Sequence, residues 1–174
     1  VTNNITNKGN ILGDDGVLEI VQGDNFGNIK QKNIQIKSSF ENNGTAIANN
    51  TFSNKGAISG NTGNLVVTDG TNTGNIVQEI VTISNGNTGF TNSGSIIAEI
   101  VNNGIFSNIY TIGSENLMKD FTNNGTFTNN GDVFVKDLEN SSKIENNKNI
   151  ISSGKFTNTS EVTGNAGNLT VVDG

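Results

Sequence analysis

The chain has 174 residues, a net charge of −6 and an apolar fraction of only 32%, too little to supply one large globular core. It lacks Cys, His and Trp, and Lys is its only basic residue. Disulfides and thiolate or imidazole metal sites are therefore excluded, and nucleic-acid binding, which needs a basic face, is argued against. No stretch approaches the ~18 consecutive apolar residues of a membrane-spanning helix. The absence of Pro, with apolar residues concentrated in Ile, Val and Phe, speaks against disorder.

The 34 Asn and 22 Gly point to many tight turns and almost no helix. Strands are predicted in chain order at 17–21, 29–36, 65–67, 76–83, 96–101 and 133–135, several alternating apolar and polar residues. Between them recurs a motif of an apolar residue, Asn two positions on, Gly at the fifth and a second apolar residue at the seventh. It reads Ile5-Thr6-Asn7-Lys8-Gly9 leading to Ile11, and Phe52-Ser53-Asn54-Lys55-Gly56 leading to Ile58. Phe90-Thr91-Asn92-Ser93-Gly94 leads to Ile96, and Phe121-Thr122-Asn123-Asn124-Gly125 to Phe127, which opens a further copy reaching Val133. Phe40-Glu41-Asn42-Asn43-Gly44 is a slipped copy, and degenerate copies begin at Ile144 and Phe156.

A longer repeat overlies the motif. Residues 41–70 align without gaps on residues 145–174, an offset of 104, with identities concentrated in Gly60-Asn61-Thr62-Gly63-Asn64-Leu65 against Gly164-Asn165-Ala166-Gly167-Asn168-Leu169. No linker divides the chain, so residues 1–174 are read as one continuous array. A sequence in repeat register from its first residue is expected of a mature product or an excised fragment.

The motif places Phe or Ile, Asn, Gly and the next apolar residue at alternate positions, which on a strand share one face. The expectation is that Phe points inward, the chain turns at Asn-x-Gly with Gly supplying positive φ, and Asn side chains stack in a ladder on successive coils. This is an all-β fold without significant helix: a parallel β-helix with coils of about 21 residues. About eight coils would make a rod of ~40 Å, and the 104-residue offset would correspond to five whole coils. The competing fold is an antiparallel sandwich with hairpins at Asn43-Gly44, Asn85-Gly86, Asn103-Gly104, Asn124-Gly125 and Asn130-Gly131.

Runs such as Phe90-Thr91-Asn92-Ser93-Gly94-Ser95-Ile96 and Phe121-Thr122-Asn123-Asn124-Gly125-Thr126-Phe127 resemble the repeats of bacterial surface adhesins, the autotransporter passengers and filamentous-haemagglutinin-like proteins. The resemblance implies a right-handed parallel β-helix exported to the bacterial cell surface as a secreted β-solenoid, with roles in adhesion, aggregation, biofilm or virulence.

Candidate chemistry is sparse. Glycoside cleavage needs two carboxylates facing one groove, and the candidates are Asp14 with Asp15, Asp120, and Asp132 with Asp137. Each also reads as a turn former or a solvated charge. Calcium-solenoid and EF-hand patterns are missing, so neither metal nor cofactor is expected. Tyr110 is the single tyrosine and a candidate contact residue. Thr71-Asn72-Thr73 and Thr157-Asn158-Thr159 are read as ordinary strand Thr, and the sequons at Asn4, Asn43, Asn49, Asn124, Asn140 and Asn168 as products of composition. The expected function is a non-catalytic structural and adhesive shaft segment whose partner is a host glycan, a surface protein or another copy of itself. The alternatives are a self-assembling extracellular filament or sheath subunit and a carbohydrate-active β-helix enzyme.

Overall fold

The structure, a computed structural model, describes residues 2–173. Nineteen strands, from β1 (Thr2–Asn7) to β19 (Asn168–Val171), form one sheet in which each strand pairs in parallel with strands one coil away. The chain is a β-solenoid of about nine turns with no helix among the described residues. Every pairing is parallel, so the Asn-Gly corners do not make hairpins and the antiparallel sandwich is excluded.

Each turn has three sides. On side A the inward residues stack as Ile5, Gly23, Phe40, Ile58, Ile76, Ile96, Ile112, Val133, Ile150 and Leu169. Side B stacks Ile11, Ile29, Ala46, Leu65, Val81, Ile100, Phe121, Leu138 and Phe156. Side C stacks Leu18, Ile34, Phe52, Gly70, Phe90, Phe106, Phe127, Ile144 and Val162. The three columns make a single core because a coil cannot bury its own inner face and must borrow the neighbour's. Phe rings meet along it: Phe90–Phe106 at 5.9 Å, Phe106–Phe127 at 5.2 Å and Phe121–Phe127 at 4.8 Å between centroids. Phe52 and Phe90 approach to 6.1 Å although they lie two coils apart, because Gly70 between them adds no side chain.

The coil averages about 18 residues, shorter than the anticipated 21. It varies from 16 residues, between Phe90 and Phe106, to 21, between Phe106 and Phe127. The variation is absorbed at corners and at register shifts such as the one between Lys119 and Phe121. It explains why motif spacing in the sequence looks irregular while the stacking is not.

The repeat unit is one side rather than one coil. Phe40 heads the first long copy on side A, and its counterpart Ile144 heads the second on side C. Asn42 and Asn146 are displaced in the same way, as are Leu65 on side B and Leu169 on side A. The expectation that the 104-residue offset holds whole coils is corrected: the second copy is turned by one side. Its final residue, Gly174, lies outside the described residues.

The corner Gly has a different reason from the one anticipated. Positive φ occurs at Gly60, Gly70, Gly89, Gly113 and Gly164, none of them the Gly of a motif corner. At the corners the backbones of successive coils stack directly. A Cβ on Gly27 would be driven into the Gly9 carbonyl oxygen, one on Gly44 into that of Gly27, and one on Gly125 into that of Gly104. Gly9, in the first coil, has open space at that point. Close approach of backbone to backbone, not left-handed geometry, selects Gly here.

Candidate functional surface

The interior polar groups come first, because they decide what remains available for chemistry. Three amide ladders run along the corners. On side A, Asn7 donates to Asn25 at 2.8 Å and Asn25 to Asn42 at 2.7 Å. On side C the ladder runs Asn54, Asn72, Asn92, Asn108, Asn129, Asn146 in steps of 2.7–2.9 Å. On side B, Asn102, Asn123, Asn140 and Asn158 follow at 2.7 Å each. Each Asn uses its remaining valences locally: Asn54 Oδ1 accepts from the Gly56 amide, and its Nδ2 also donates to the Gly56 and Asn75 carbonyls. The side-A ladder would break at Gly60, which has no side chain to offer. Gln78, one coil further on, reaches back so that Asn42 donates to its Oε1 at 2.6 Å while its Nε2 donates to the Asn42 and Gly60 carbonyls. An amide left unpaired there would cost roughly 1–3 kcal/mol.

The sequence candidates fall on the outside. Asp14 and Asp15 are exposed within the strand Asn10–Asn25, at its register shift between Gly13 and Val17, where Asp15 meets Lys32 at 3.4 Å. Asp132 is separated from Asp137 and committed elsewhere: it accepts from Lys148 Nζ and Asn149 Nδ2, both at 2.9 Å. Those bonds hold its carboxyl below the ordinary value. Asp137 is brought to Asp120 instead. Lys136 and Asp137 together lie opposite Asp120 at the register shift between adjacent coils; the Asp137 amide donates to Asp120 Oδ1 at 3.3 Å, and Lys136 lies 4.0 and 3.6 Å from the two carboxylates. Asp137 also accepts from the Lys155 amide at 2.8 Å. Among the described residues no three acidic side chains converge as metal ligands, and no helix is long and apolar enough to cross a membrane.

Asp69, not among the acids singled out from the sequence, is a buried carboxylate. It accepts from the backbone amides of Asn87 at 3.1 Å, Thr88 at 3.0 Å and Gly89 at 2.6 Å, clipping the 84–89 loop to the preceding coil. Burial pushes its carboxyl up, but the hydrogen bonds from Gly89, Thr88 and Asn87 together outweigh that and leave it below the ordinary value of 3.8. Nothing in the linear pattern signals this clip, because its donors are main-chain groups of a loop one coil away.

The outer sides differ in character. Side C carries a column of hydroxyls, Ser53, Thr71, Thr91, Ser107 and Thr128, on successive coils. Thr71 therefore belongs to a longer column than its Thr-x-Thr triplet suggests. Side A near the start of the rod holds a shallow hollow of about 560 Å³ lined by Thr6, Gln22, Asp24, Ser39, Glu41 and Ser59, among others. Asp24 and Glu41 face each other across adjacent coils there, a pairing that the spacing of 17 residues alone did not reveal. Tyr110 takes the corner position that Gly holds elsewhere, stands 60% exposed beside exposed Ile109, and the amide that follows it reaches Gly94 only at 3.4 Å, against 2.8–3.0 Å at regular corners.

The fold and surface define a β-solenoid repeat protein, the class to which the resemblance pointed. No family model, no curated protein and no solved structure matches the chain.

Proposed function

We propose that the chain is a non-catalytic shaft segment of a secreted bacterial surface protein that mediates adhesion through its long outer sides. The observation that carries this reading is the division of labour in the coil. Most inward amides are engaged in the ladders, and the outer sides carry polar columns such as the side-C hydroxyls, with shallow hollows between coils. Hydroxyls of side C and the Gln22, Asp24, Ser39 and Glu41 rim of the hollow are suited to hydrogen-bonding neutral sugars or protein backbone. Weak contacts repeated along many coils add up by avidity. The dispersal of Asp132 away from Asp137, and the engagement of Asp137 with Lys136 and the Lys155 amide, support a reading without hydrolysis.

The test uses beads coated densely with the protein, applied to mammalian cells and to arrays of neutral oligosaccharides. Retention above beads coated with heat-unfolded protein is expected. It should fall at least threefold in a variant carrying Gln22→Ala, Ser39→Ala and Glu41→Ala, all exposed residues. Equal retention of folded and unfolded protein overturns the adhesive reading. Loss of polymer length on incubation with uronate polysaccharides overturns the non-catalytic part.

A further inference from the structure

The sequence holds five Asn-Gly steps, at residues 43–44, 85–86, 103–104, 124–125 and 130–131. None of them makes a hairpin, and the ladders use none of their Asn side chains, because the ladder Asn stands two places before the corner Gly. An Asn followed by Gly is chemically open to attack from its own main chain. The Gly nitrogen is not shielded by a side chain, and the ring that closes onto the Asn side-chain carbon has five members and little strain. The fold decides which of the five steps can react.

Four of them are corners, and the stack holds them. The amides of Asn43, Asn103, Asn124 and Asn130 donate to carbonyls of the coil before at 2.7–2.8 Å. Their side chains are engaged as well: Asn43 donates to Glu41, Asn124 donates to Asn103 and accepts from Ser141, and Asn130 accepts from Asn147. The Gly that follows each one packs on a carbonyl of the previous coil, and the Gly104 and Gly131 amides donate to Asn102 and Asn129. Ring closure requires the Gly nitrogen to swing toward the Asn side chain. At a stacked corner that motion waits for the coil to open locally.

Asn85-Gly86 lies outside this frame. It falls in the loop between the strands Asn75–Ile83 and Phe90–Asn92, and Asn85 is exposed. Among the described residues, the Asn85 side chain, its amide and the Gly86 amide have no hydrogen-bond partner in the protein. Gly104 of the next coil packs over Ser84 and the Asn85 Cα, and the loop is tied down again only at Asn87, Thr88 and Gly89, whose amides Asp69 holds. The bond that must rotate is the free stretch between those two anchors, so no coil has to open for the ring to close.

We propose that Asn85-Gly86 is a site of self-modification, at which the Gly86 nitrogen attacks the Asn85 side-chain carbonyl carbon. A C–N bond forms, the bond to the side-chain nitrogen breaks, and that nitrogen leaves as ammonia with the proton lost from Gly86. Water then opens the cyclic imide at one carbonyl or the other, giving an aspartyl or an isoaspartyl linkage at 85. Either product adds one negative charge to the net −6 of the chain. The isoaspartyl product also lengthens the main chain by one methylene, just before the three amides that Asp69 holds. Gly86 lies against Asp69 already, since a Cβ on it would run into Asp69 Oδ1. Slack in the loop and repulsion between the two carboxylates both loosen the clip. The inference rests on the fold and not on the adhesive reading.

The test incubates the folded chain in warm, mildly alkaline buffer, which favours loss of the Gly amide proton, with circular dichroism at each time point to show that it stays folded. Peptide mapping by mass spectrometry follows amide-to-acid conversion at each of the five steps, and enzymatic methylation of isoaspartyl carboxyls separates the two products. Conversion at Asn85 is expected at least tenfold faster than at Asn43, Asn103, Asn124 or Asn130. In heat-unfolded chain the five rates should fall within a few-fold of one another, which assigns the difference to the fold. Asp69→Asn, which releases the loop and removes a charge that opposes proton loss, should speed conversion at Asn85 and leave the corners unchanged. Hydrogen exchange of the 87–89 amides should quicken in the aged parent and stay constant in equally aged Asn85→Gln protein, whose longer side chain closes the ring far more slowly. Equal rates at all five steps of the folded chain, fastest conversion at a corner, or an Asn85 that stays intact while the unfolded chain converts overturns the site. Unchanged exchange in fully converted protein overturns the loosening of the clip.

Discussion

Removing Asn92 tests whether the buried amide ladders hold the coils together. Its side chain is fully buried and makes four bonds: Oδ1 accepts from Asn72 at 2.7 Å and from the Gly94 amide at 3.3 Å, and Nδ2 donates to Asn108 at 2.8 Å and to the Thr111 carbonyl at 3.2 Å. At about 1 kcal/mol for each bond, Asn92→Ala is expected to cost about 4 kcal/mol. Asn158→Ala, at the exposed end of its ladder where water replaces the lost partner, should cost about 1 kcal/mol or less. Asn92→Asp sharpens the test by keeping shape while exchanging a donor for a charge that faces two acceptors. Burial and those acceptors raise the pKa of the new carboxyl in the folded chain above its unfolded value of about 3.9. Below that value both states are protonated and no ionisation penalty exists; the penalty grows as pH rises toward the folded pKa. Asn92→Asp protein should therefore be less stable than Asn92→Ala protein at pH 7 and recover near pH 4. Urea unfolding followed by circular dichroism gives the differences, with slopes compared because stacked repeats can melt in parts. Equal small losses for Asn92→Ala and Asn158→Ala, or a pH-independent Asn92→Asp, would refute the reasoning.

Gly44→Ala, whose methyl must enter the Gly27 carbonyl of the coil before it, should lose about 2–3 kcal/mol in the same assay. Gly9→Ala, with open space at its Cβ, should stay within about 0.5 kcal/mol of the parent. Phe106→Ala, from a fully buried ring that touches Phe90, Phe121 and Phe127, should cost about 3–5 kcal/mol by thermal or urea melting. Because the folded Asp69 carboxyl titrates below its unfolded value, its contribution is complete above that value and disappears as pH falls through the folded pKa. Acid titration of stability should show a slope below pH ~4, and Asp69→Asn should flatten it and speed hydrogen exchange in the 84–89 loop.

Much of the fold was legible because each Asn-x-Gly copy carries both the inward residue and the corner, and like residues must stack to satisfy their amides. Phe90, Asn92 and Ile96 needed no more than that logic. The coil length was legible only to within a few residues, about 21 anticipated against about 18 found, because sides of variable corner length add up to a period that no two neighbouring motifs display. The positive-φ reading of the corner Gly failed for a related reason: the atom that forbids a Cβ belongs to the previous coil, invisible along the chain. Gln78 looked like an ordinary strand residue, yet it closes the gap above Gly60. Of the surface, the acids Asp120 and Asp137 were singled out but not their pairing, and Asp24 with Glu41 escaped notice, since both pairings exist only in the stacking register.

A unit of one side has a consequence for how such a rod can lengthen. Duplications need not span complete windings; any multiple of a single flank preserves the packing, and one that is not a whole number of windings turns the copy against its template by a third of the circumference. Identical surface residues inherited from one ancestral stretch then point in different compass directions along the shaft. A molecule grown this way presents the same group on more than one flank of the shaft.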